Sequence, residues 1–276
     1  MKKALNAWSV EEGLSMEETF AAVAKAGFEG IELNVDAPGK SNGLSMNSTD
    51  DDYAAIRALS KKYDLPVISI STSLSAGMSG AREMHESYRK LILKQIEAAK
   101  ALGATGILTA TGGMNYEGVS LKMAREATVD FFKGMRDEIE ATGIYVGLEN
   151  VWNGFFLSPY DMVSVIDAVG SPKIGAYYDA GNVIAFSDSQ DWVEVLGGRI
   201  GFVHVKNFMR RGGLNSGGEW ADITEGSAKW EKIIPALRMA GFDGYLTGEV
   251  FNRRPGQSWA DYYKKVADEI GTLCAM

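Results

Sequence analysis

The feature that most constrains the fold is the alternation of strand-like and helix-like segments along the chain. Each short apolar run that is typical of a buried strand is followed by a longer stretch with apolar residues at helical spacing. The predicted strands are 4–9, 30–35, 66–72, 105–111, 144–149, 174–179, 200–206 and 245–250. Eight such units in 276 residues match the order and size of a (β/α)8 barrel. We therefore predict the α/β class, with residues 1–276 forming a single (β/α)8 TIM barrel.

Signals at the ends of the predicted helices agree with this alternation. Ser15 followed by Glu18 forms a capping box, and Ser158 followed by Pro159 places an N-cap before a proline at the first helical position. The predicted helices are 16–26, 50–63, 86–102, 121–141, one that begins at 159, 189–196, 228–239 and 259–273. A doubly wound sheet is disfavoured because no Gly-x-Gly-x-x-Gly motif or P-loop follows an early strand. Gly112-Gly113, after the fourth strand, is too weak a signal for a phosphate site.

Composition narrows the possible partners and location. The net charge of −8 and the pI near 5.0 disfavour a nucleic-acid surface, because phosphate contacts need clustered Lys and Arg. The only cysteine, Cys274, cannot form an intrachain disulfide. The N-terminal residues lack the apolar core of a signal peptide, and no apolar run is long enough to span a bilayer. We expect a cytoplasmic location, with no nucleic-acid or membrane partner.

Each of the last four predicted strands, 144–149, 174–179, 200–206 and 245–250, has a side chain that can bind a metal at or near its end. These side chains are Glu149, Asp179, His204 and Glu249. In a parallel barrel the carboxyl ends of all strands open on one rim, so these side chains should meet there. Two Glu, one Asp and one His are a ligand set for Mn²⁺, Co²⁺, Mg²⁺ or Zn²⁺. We predict one divalent metal ion, with carboxylates beside it that can move a proton next to a carbonyl.

Each of these residues also has an ordinary structural interpretation. Either glutamate could be a solvated residue at a strand end, and Asp179 could be only a turn residue. His204, between two valines, could be a hydrogen-bonded core histidine. Four consecutive strands each supply a ligand-type residue at the same rim, which favours the joint metal site.

Further residues near predicted strand ends are candidates for contacts with a substrate. Lys206 and Arg210 follow the seventh strand in a basic loop that would lie over the pocket and could hold hydroxyls or a phosphate. Trp8, Trp152, Phe155 and Phe208 could form aromatic walls or could pack at the rim, and Glu32 ends the second strand. A solvated loop residue is the favoured interpretation of Arg211, and a surface or capping role that of His85.

On these residues the sequence resembles the xylose-isomerase-like TIM-barrel superfamily, in its sugar and sugar-phosphate isomerase/epimerase branch. The similar members are the L-ribulose-5-phosphate 3-epimerases and the D-tagatose/D-psicose 3-epimerases. The segments that carry the resemblance are 26–36, 148–150, 179–182, 203–207 and 248–250.

The resemblance implies that the four residues bind one divalent ion, usually Mn²⁺ in relatives, and that Glu149 and Glu249 double as the acid/base pair. Arg210 matches a substrate-binding arginine of the free-ketose 3-epimerases. Asn182 stands where those enzymes carry a substrate-binding histidine, and Phe155 stands where they carry a further glutamate. Both departures weaken a D-psicose or D-tagatose assignment. Relatives are commonly dimers or tetramers, so we also expect a homo-oligomer.

The function that we expect is metal-dependent epimerisation or isomerisation of a ketose sugar or sugar phosphate through a cis-enediolate, with 3-epimerisation favoured. The alternatives are a lyase that acts on 3-keto-glycosides by the same enolate chemistry, an abasic-site endonuclease and a non-catalytic sugar-binding barrel. The endonuclease is disfavoured because its relatives hold three zinc ions with many histidines, whereas this acidic chain has only His85 and His204. The sequence leaves open the sugar, its phosphorylation, the native metal, the face that each glutamate serves and the oligomeric state.

Overall fold

A computed structural model of the protein describes residues 1–39, 43–112 and 118–276. Eight parallel strands form a closed barrel, because the first strand pairs with both the second and the last. These strands are β1 Lys2–Asn6, β2 Gly30–Asp36, β3 Val67–Thr72, β4 Gly106–Ala110, β5 Tyr145–Glu149, β6 Ile174–Asp179, β7 Ile200–Val205 and β8 Tyr245–Gly248. The predicted (β/α)8 TIM barrel is confirmed. Gly113, which was considered above with Gly112 as a weak signal for a phosphate site, lies outside the described residues.

Eight α-helices of the described residues surround the barrel. They are α1 Met16–Lys25, α2 Asp50–Tyr63, α3 His85–Leu102, α4 Leu121–Thr142, α5 Pro159–Val169, α6 Ser189–Leu196, α7 Trp230–Met239 and α8 Trp259–Ala275. The predicted capping box of Ser15 and Glu18 is present at the start of α1. Ser158 caps α5, where Pro159 occupies the first turn. None of the helices in the described part of the chain has the length and apolar character needed to cross a membrane.

The structure departs from the predicted elements at β1, after β7 and beside β2, and the other observed bounds lie within two residues of the predicted ones. β1 ends at Asn6 rather than at residue 9, because the Asn6 side chain accepts a hydrogen bond from the Trp8 backbone and caps a 3₁₀ turn over Ala7–Ser9. The segment after β7, predicted as a basic loop, begins an antiparallel hairpin of Asn207–Arg210 with Gly218–Ala221. A further short strand, Leu44–Ser45, extends the sheet beside β2.

Aromatic rings fill the lower half of the barrel, away from the strand ends that carry the site. Phe202 stacks on Tyr177 with ring centroids 5.1 Å apart, and Tyr145 lies 5.8 Å from the same ring. Glycines on the neighbouring strands make room for these rings. A Cβ at Gly147 would lie 2.8 Å from the Cβ of Tyr177, and one at Gly201 would lie 2.9 Å from Cδ1 of Tyr145. The open part of the barrel interior is therefore its upper end.

We expect Gly147→Ala to lower the free energy of unfolding by about 1–3 kcal/mol, because the new methyl group has no space beside Tyr177. Urea denaturation of the two proteins measures this difference. Gly134→Ala is the matched control, since Gly134 lies within α4 with no heavy atom near the position of a Cβ. The control should raise the free energy of unfolding by about 0.5–1 kcal/mol, and equal effects of the two substitutions would contradict the packing argument.

Candidate metal centre

The structure brings Glu149, Asp179, His204 and Glu249 together at the upper end of the barrel. One potential ligand atom from each lies within 4.8 Å of the others, and all four residues are buried. Glu149 and Asp179 end β5 and β6, His204 lies in β7, and Glu249 directly follows β8. Asp179 is in register with His204 on the next strand. His204 is in register with Thr247, whose side chain shares a face with that of Glu249 two residues later. Parallel register and two-residue alternation thus place the four side chains in one arc.

His204 is oriented so that one ring nitrogen is held and the other is free to bind an ion. Its Nε2 lies 2.7 Å from Oε1 of Glu32. Its Nδ1 faces carboxylate oxygens of Glu149 at 3.4 Å, and of Asp179 and Glu249 at 3.8 Å each. Nδ1 is buried and has no hydrogen-bond partner among the described residues. Burial would lower the pKa of His204, but the charge of Glu32 and the other carboxylates hold it above its usual value, so the ring is charged in the metal-free protein. Because Glu32 holds the Nε2 proton, Nδ1 is the nitrogen that would give up its proton and bind a metal ion, as in other metal-binding histidines.

Glu32, predicted as a substrate contact, is too deeply buried to reach a substrate. It is fully buried below the site, because it points inward from β2 one layer under the strand ends. Besides His204, it accepts hydrogen bonds from Asn6 at 2.5 Å and from the hydroxyls of Ser69 and Tyr177. Burial would raise the pKa of Glu32, but the imidazole of His204 and the hydroxyl donors hold it below its usual value. The carboxylate is therefore ionised and engaged entirely by the protein.

The two oxygens of Asp179 have separate environments. Oδ1 accepts hydrogen bonds from the backbone N–H groups of Gly181 and Asn182, both at 2.8 Å, which form a turn. Oδ2 is buried and points into the cluster. Asp179 is therefore both a turn residue, through Oδ1, and a candidate metal ligand, through Oδ2. Burial raises the pKa of Asp179, together with the nearby charge of Glu249.

Asn150 fixes the backbone of Asp179, a role that the sequence analysis missed although the residue follows Glu149 directly. Its side chain donates to the Asp179 carbonyl at 2.8 Å and accepts from the Asp179 N–H at 2.9 Å. Asn182 is also buried, and its amide donates to the Asn150 carbonyl at 2.9 Å. The amide group of Asn182 therefore connects the segments that follow β5 and β6. Contact of Asn182 with a substrate stays a prediction.

Lys206 reaches into the ligand set rather than lying over it. Its ammonium is 2.9 Å from Oδ2 of Asp179 and is hydrogen-bonded to Glu249. Burial would lower the pKa of Lys206, but the surrounding carboxylates hold it above its usual value, so the group is charged. Because Lys206 lies two residues after His204 in an extended segment, both side chains share one face.

The two glutamates of the cluster have different proton affinities. Burial raises the pKa of Glu149 to about 7, and the charges of Glu249 and Asp179 add to this effect. The pKa of Glu249 is lowered, because the positive charges of Lys206 and His204 outweigh the effect of burial. Two carboxyl groups whose environments separate their pKa values are suited to opposite roles in proton transfer.

An aromatic wall stands beside the entrance, formed by Trp152, Phe208 and Trp220. The indole rings of Trp152 and Trp220 stack with centroids 5.1 Å apart, and Phe208 meets both edge-on at 5.8 and 5.5 Å. Trp152 is 54% exposed and Trp220 is 42% exposed. Sequence reasoning missed Trp220, because it lies in the second strand of the unpredicted hairpin. Phe155, predicted as a wall candidate, is instead buried against Phe156.

The remaining predicted contacts lie around the rim and are paired within the protein. Arg210 lies in the hairpin, and its guanidinium is 2.9 Å from Asp188. The Trp8 indole donates to Asp36 at 2.7 Å. His85 lies 2.9 Å from the carbonyl of Ser79 at the start of α3, apart from the cluster. The structure therefore places Arg210 and Trp8 near the strand ends without bringing them into the cluster.

The donor set fits a divalent ion. Three carboxylates and one imidazole nitrogen converge, and that nitrogen lacks a partner among the described residues. Buried carboxylates need positive charge nearby, which the ammonium of Lys206 supplies in the metal-free protein and a divalent ion could supply in its place. A cation held there could polarise an oxygen of a bound molecule, with two glutamates beside it to transfer protons.

The comparisons with known proteins agree with the fold and place the chain in a family. The family model described as xylose isomerase-like TIM barrel matches residues 20–271, so the chain belongs to this family. Among curated proteins, it is 25% identical over 162 residues to a 3-oxo-isoapionate decarboxylase of Pectobacterium atrosepticum. That match covers 57% of this chain and 54% of the relative, so the chain spans about half the length of the curated relative that it matches.

Two solved structures share the whole fold with this chain. A D-allulose 3-epimerase from Methylomonas sp., in complex with D-allulose, superposes with a TM-score of 0.76 at 18% identity, covering 99% of this chain and 97% of that one. The IOLI protein with a bound zinc atom superposes with a TM-score of 0.82 at 14% identity, covering 100% of this chain and 98% of that one. At these identities the likeness establishes the architecture and not the reaction.

We expect purified, tag-free protein to carry about one divalent metal ion per chain, and His204→Ala to abolish this binding by removing the imidazole ligand. Plasma mass spectrometry on protein prepared without chelator measures the metal content. His85→Ala is the matched control, because it removes the only other histidine and leaves the cluster intact. Equal metal content in the two variants would remove His204 from the ligand set.

We expect Glu32→Gln to weaken metal binding by about 10–100-fold, because the buried carboxylate no longer fixes the tautomer and orientation of His204. Isothermal titration with Mn²⁺ measures the dissociation constant. Glu29→Gln serves as the control, since Glu29 is exposed outside the barrel and accepts only from the Lys3 backbone among the hydrogen bonds observed. Unchanged affinity in Glu32→Gln would show that the His204 orientation does not depend on this bond.

Proposed function

We propose that the protein is a divalent-metal-dependent epimerase or isomerase that acts on a ketose sugar or sugar phosphate, with 3-epimerisation as the favoured reaction. One observation carries this proposal. Glu149 and Glu249 enter the cluster from β5 and β8, which are the two ends of an arc of four consecutive strands. A substrate held between them would present one face of its reacting carbon to each carboxylate. Inversion at that carbon by two acid/base groups requires one of them on each face.

The ion would be held by Glu149, Asp179, His204 and Glu249, and it would supply a Lewis acid for the C2 carbonyl and C3 hydroxyl oxygens of the ketose. One glutamate removes the C3 proton, which leaves a cis-enediolate, and the other returns a proton to the opposite face. A bound ion would favour the ionised form of both glutamates, so the face that the substrate presents to each of them would decide which one removes the proton. Removal of a proton from C1 instead, with return of a proton to C2 of the resulting 1,2-enediolate, would give an aldose, which is the isomerase reaction.

The walls of the entrance support a sugar as the substrate. The stacked rings of Trp152 and Trp220 present an exposed apolar surface beside the cluster, which suits the C–H face of a carbohydrate. Arg210, Trp8 and Lys206 are proposed to contact substrate hydroxyls, and Asn182 to line the same region. Among them Lys206 is nearest to the proposed acid/base pair, through its hydrogen bond to Glu249.

We propose Mn²⁺ as the native ion, with Co²⁺, Mg²⁺ or Zn²⁺ as alternatives that the same ligands accept. A mixed set of carboxylates and one imidazole suits Mn²⁺, and the zinc atom bound to the similar IOLI protein shows that a barrel of this architecture accepts a transition-metal ion. The proposal includes a homodimer or homotetramer in the cytoplasm, which light scattering and cell fractionation test. An endonuclease with three zinc ions is disfavoured, because His85 lies apart from the cluster.

A second candidate is a lyase or decarboxylase that acts on a 3-oxo sugar. Its support is the partial sequence match to a 3-oxo-isoapionate decarboxylase. Loss of a group next to a carbonyl and loss of a proton there both leave an enolate, which the same ion would stabilise. The reactions differ in what the glutamates do, since a decarboxylase needs one acid to protonate the product carbon, whereas an epimerase needs a base and an acid.

We expect Glu149→Gln and Glu249→Gln each to lower turnover of an accepted ketose by about 100-fold or more, because each removes one proton-transfer group. Assays in D₂O with a ketose panel measure both epimerisation and incorporation of deuterium at C3. Glu219→Gln is the control, since Glu219 is an exposed residue of the hairpin outside the cluster. Wild-type turnover in either variant would remove that residue from the pair, and release of CO₂ from a 3-oxo sugar acid without deuterium exchange in a ketose would favour the second candidate.

A further inference from the structure

The ammonium of Lys206 and an incoming metal ion need the same carboxylate oxygens. Oδ1 of Asp179 is used by two backbone N–H groups, which leaves Oδ2 as the oxygen available to an ion. Lys206 lies 2.9 Å from this Oδ2, and it is hydrogen-bonded to Oε2 of Glu249. These are also the oxygens that face Nδ1 of His204, at 3.8 Å each. The ammonium is thus held on two of the three carboxylate oxygens that surround Nδ1 of His204, the third being Oε1 of Glu149 at 3.4 Å.

The position of Lys206 is built into the turn that follows β6. A Cβ at Gly181 would lie 2.7 Å from the carbonyl oxygen of Lys206 and would also overlap its side-chain stem. Only glycine at this position therefore lets the lysine stem run down to the carboxylates. On its other side the ammonium lies 5.5 Å from the centre of the Trp220 ring, which provides a partner toward the entrance.

We propose that Lys206 is a displaceable internal cation, which neutralises the carboxylates of the site in the metal-free protein and must leave Oδ2 of Asp179 and Oε2 of Glu249 when the ion binds. This inference rests on the metal-dependent function proposed above. It adds that the lysine competes with the ion instead of helping to bind it. After displacement, the ammonium would remain beside the cluster and near the Trp220 ring, where it could meet a negatively charged oxygen of the substrate.

Two opposite effects of removing the charge follow from this competition. The metal-free protein loses stability, because buried carboxylates lose their counter-charge. The affinity for the metal ion rises, because the ion no longer has to displace an ammonium or share the site with a like charge. A lysine that only packed the site, or only contacted substrate, would not tighten metal binding when it is removed.

The test uses the full chain stripped of metal, with Lys206→Met, which keeps most of the length of the stem, and Lys206→Gln as a second uncharged variant. Isothermal titration with Mn²⁺ gives the dissociation constant, and thermal unfolding in chelator gives the midpoint of the metal-free protein. We expect about tenfold or tighter binding of Mn²⁺ by both variants, and a midpoint lower by several degrees that excess Mn²⁺ restores. Lys229→Met is the control, because Lys229 pairs with Asp188 at 3.2 Å and touches no residue of the cluster among its observed ion pairs.

Unchanged or weaker Mn²⁺ binding in both Lys206 variants, with normal binding by the wild-type protein, overturns this inference and leaves the metal-dependent function in place. Absence of binding of Mn²⁺, Co²⁺, Mg²⁺ and Zn²⁺ in every variant and in the wild-type protein overturns both. Tighter binding in Lys206→Gln alone, if Lys206→Met does not fold, still supports the competition, because Lys206→Gln also removes the ammonium charge.

Discussion

The arrangement of the site depends on the buried hydrogen bond between Glu32 and His204. It joins β2 to β7 across the barrel, and it fixes which imidazole nitrogen faces the three carboxylates. Without it the ring would have no preferred tautomer, and the convergence of ligands at the strand ends would not define a binding geometry. The imidazole of His204, followed by the hydroxyls of Ser69 and Tyr177, holds the pKa of Glu32 below its usual value in an interior where a lone carboxylate would be protonated.

The positions of the four ligand-type residues could be predicted from the sequence, because strand periodicity and the geometry of a parallel barrel decide which end of each strand faces the substrate. The same reasoning gave most helix boundaries, since capping residues such as Ser15 and Ser158 mark helix starts. The depth of Glu32 was also available, because the predicted strand 30–35 continues three residues beyond it and so places it below the strand end. Its hydrogen bond to His204 was not, since that contact depends on the tilt and register of β2 relative to β7, which no local pattern in the sequence records.

Other features of the site could have been predicted from the sequence but were not. Alternation from His204 places Lys206 on the same face, so its entry into the cluster could have been inferred instead of a position over the pocket. The hairpin strands Asn207–Arg210 and Gly218–Ala221 have four residues each and lie around a glycine-rich turn, which resembles a loop in the sequence. Missing the hairpin hid Trp220 and therefore the stacked pair that it forms with Trp152.

The aromatic filling of the lower barrel has a consequence for the order of events at the site. Tyr145, Tyr177 and Phe202 occupy the interior beneath the cluster, so the proposed ion and the proposed sugar would both enter from the end of the barrel that carries Trp152 and Trp220. The four ligand-type residues are buried whereas both tryptophans are exposed, so the ion would have to arrive first. A bound sugar would then cover the ion and slow its escape, which would give compulsory-order kinetics and would let the substrate protect the site against chelators.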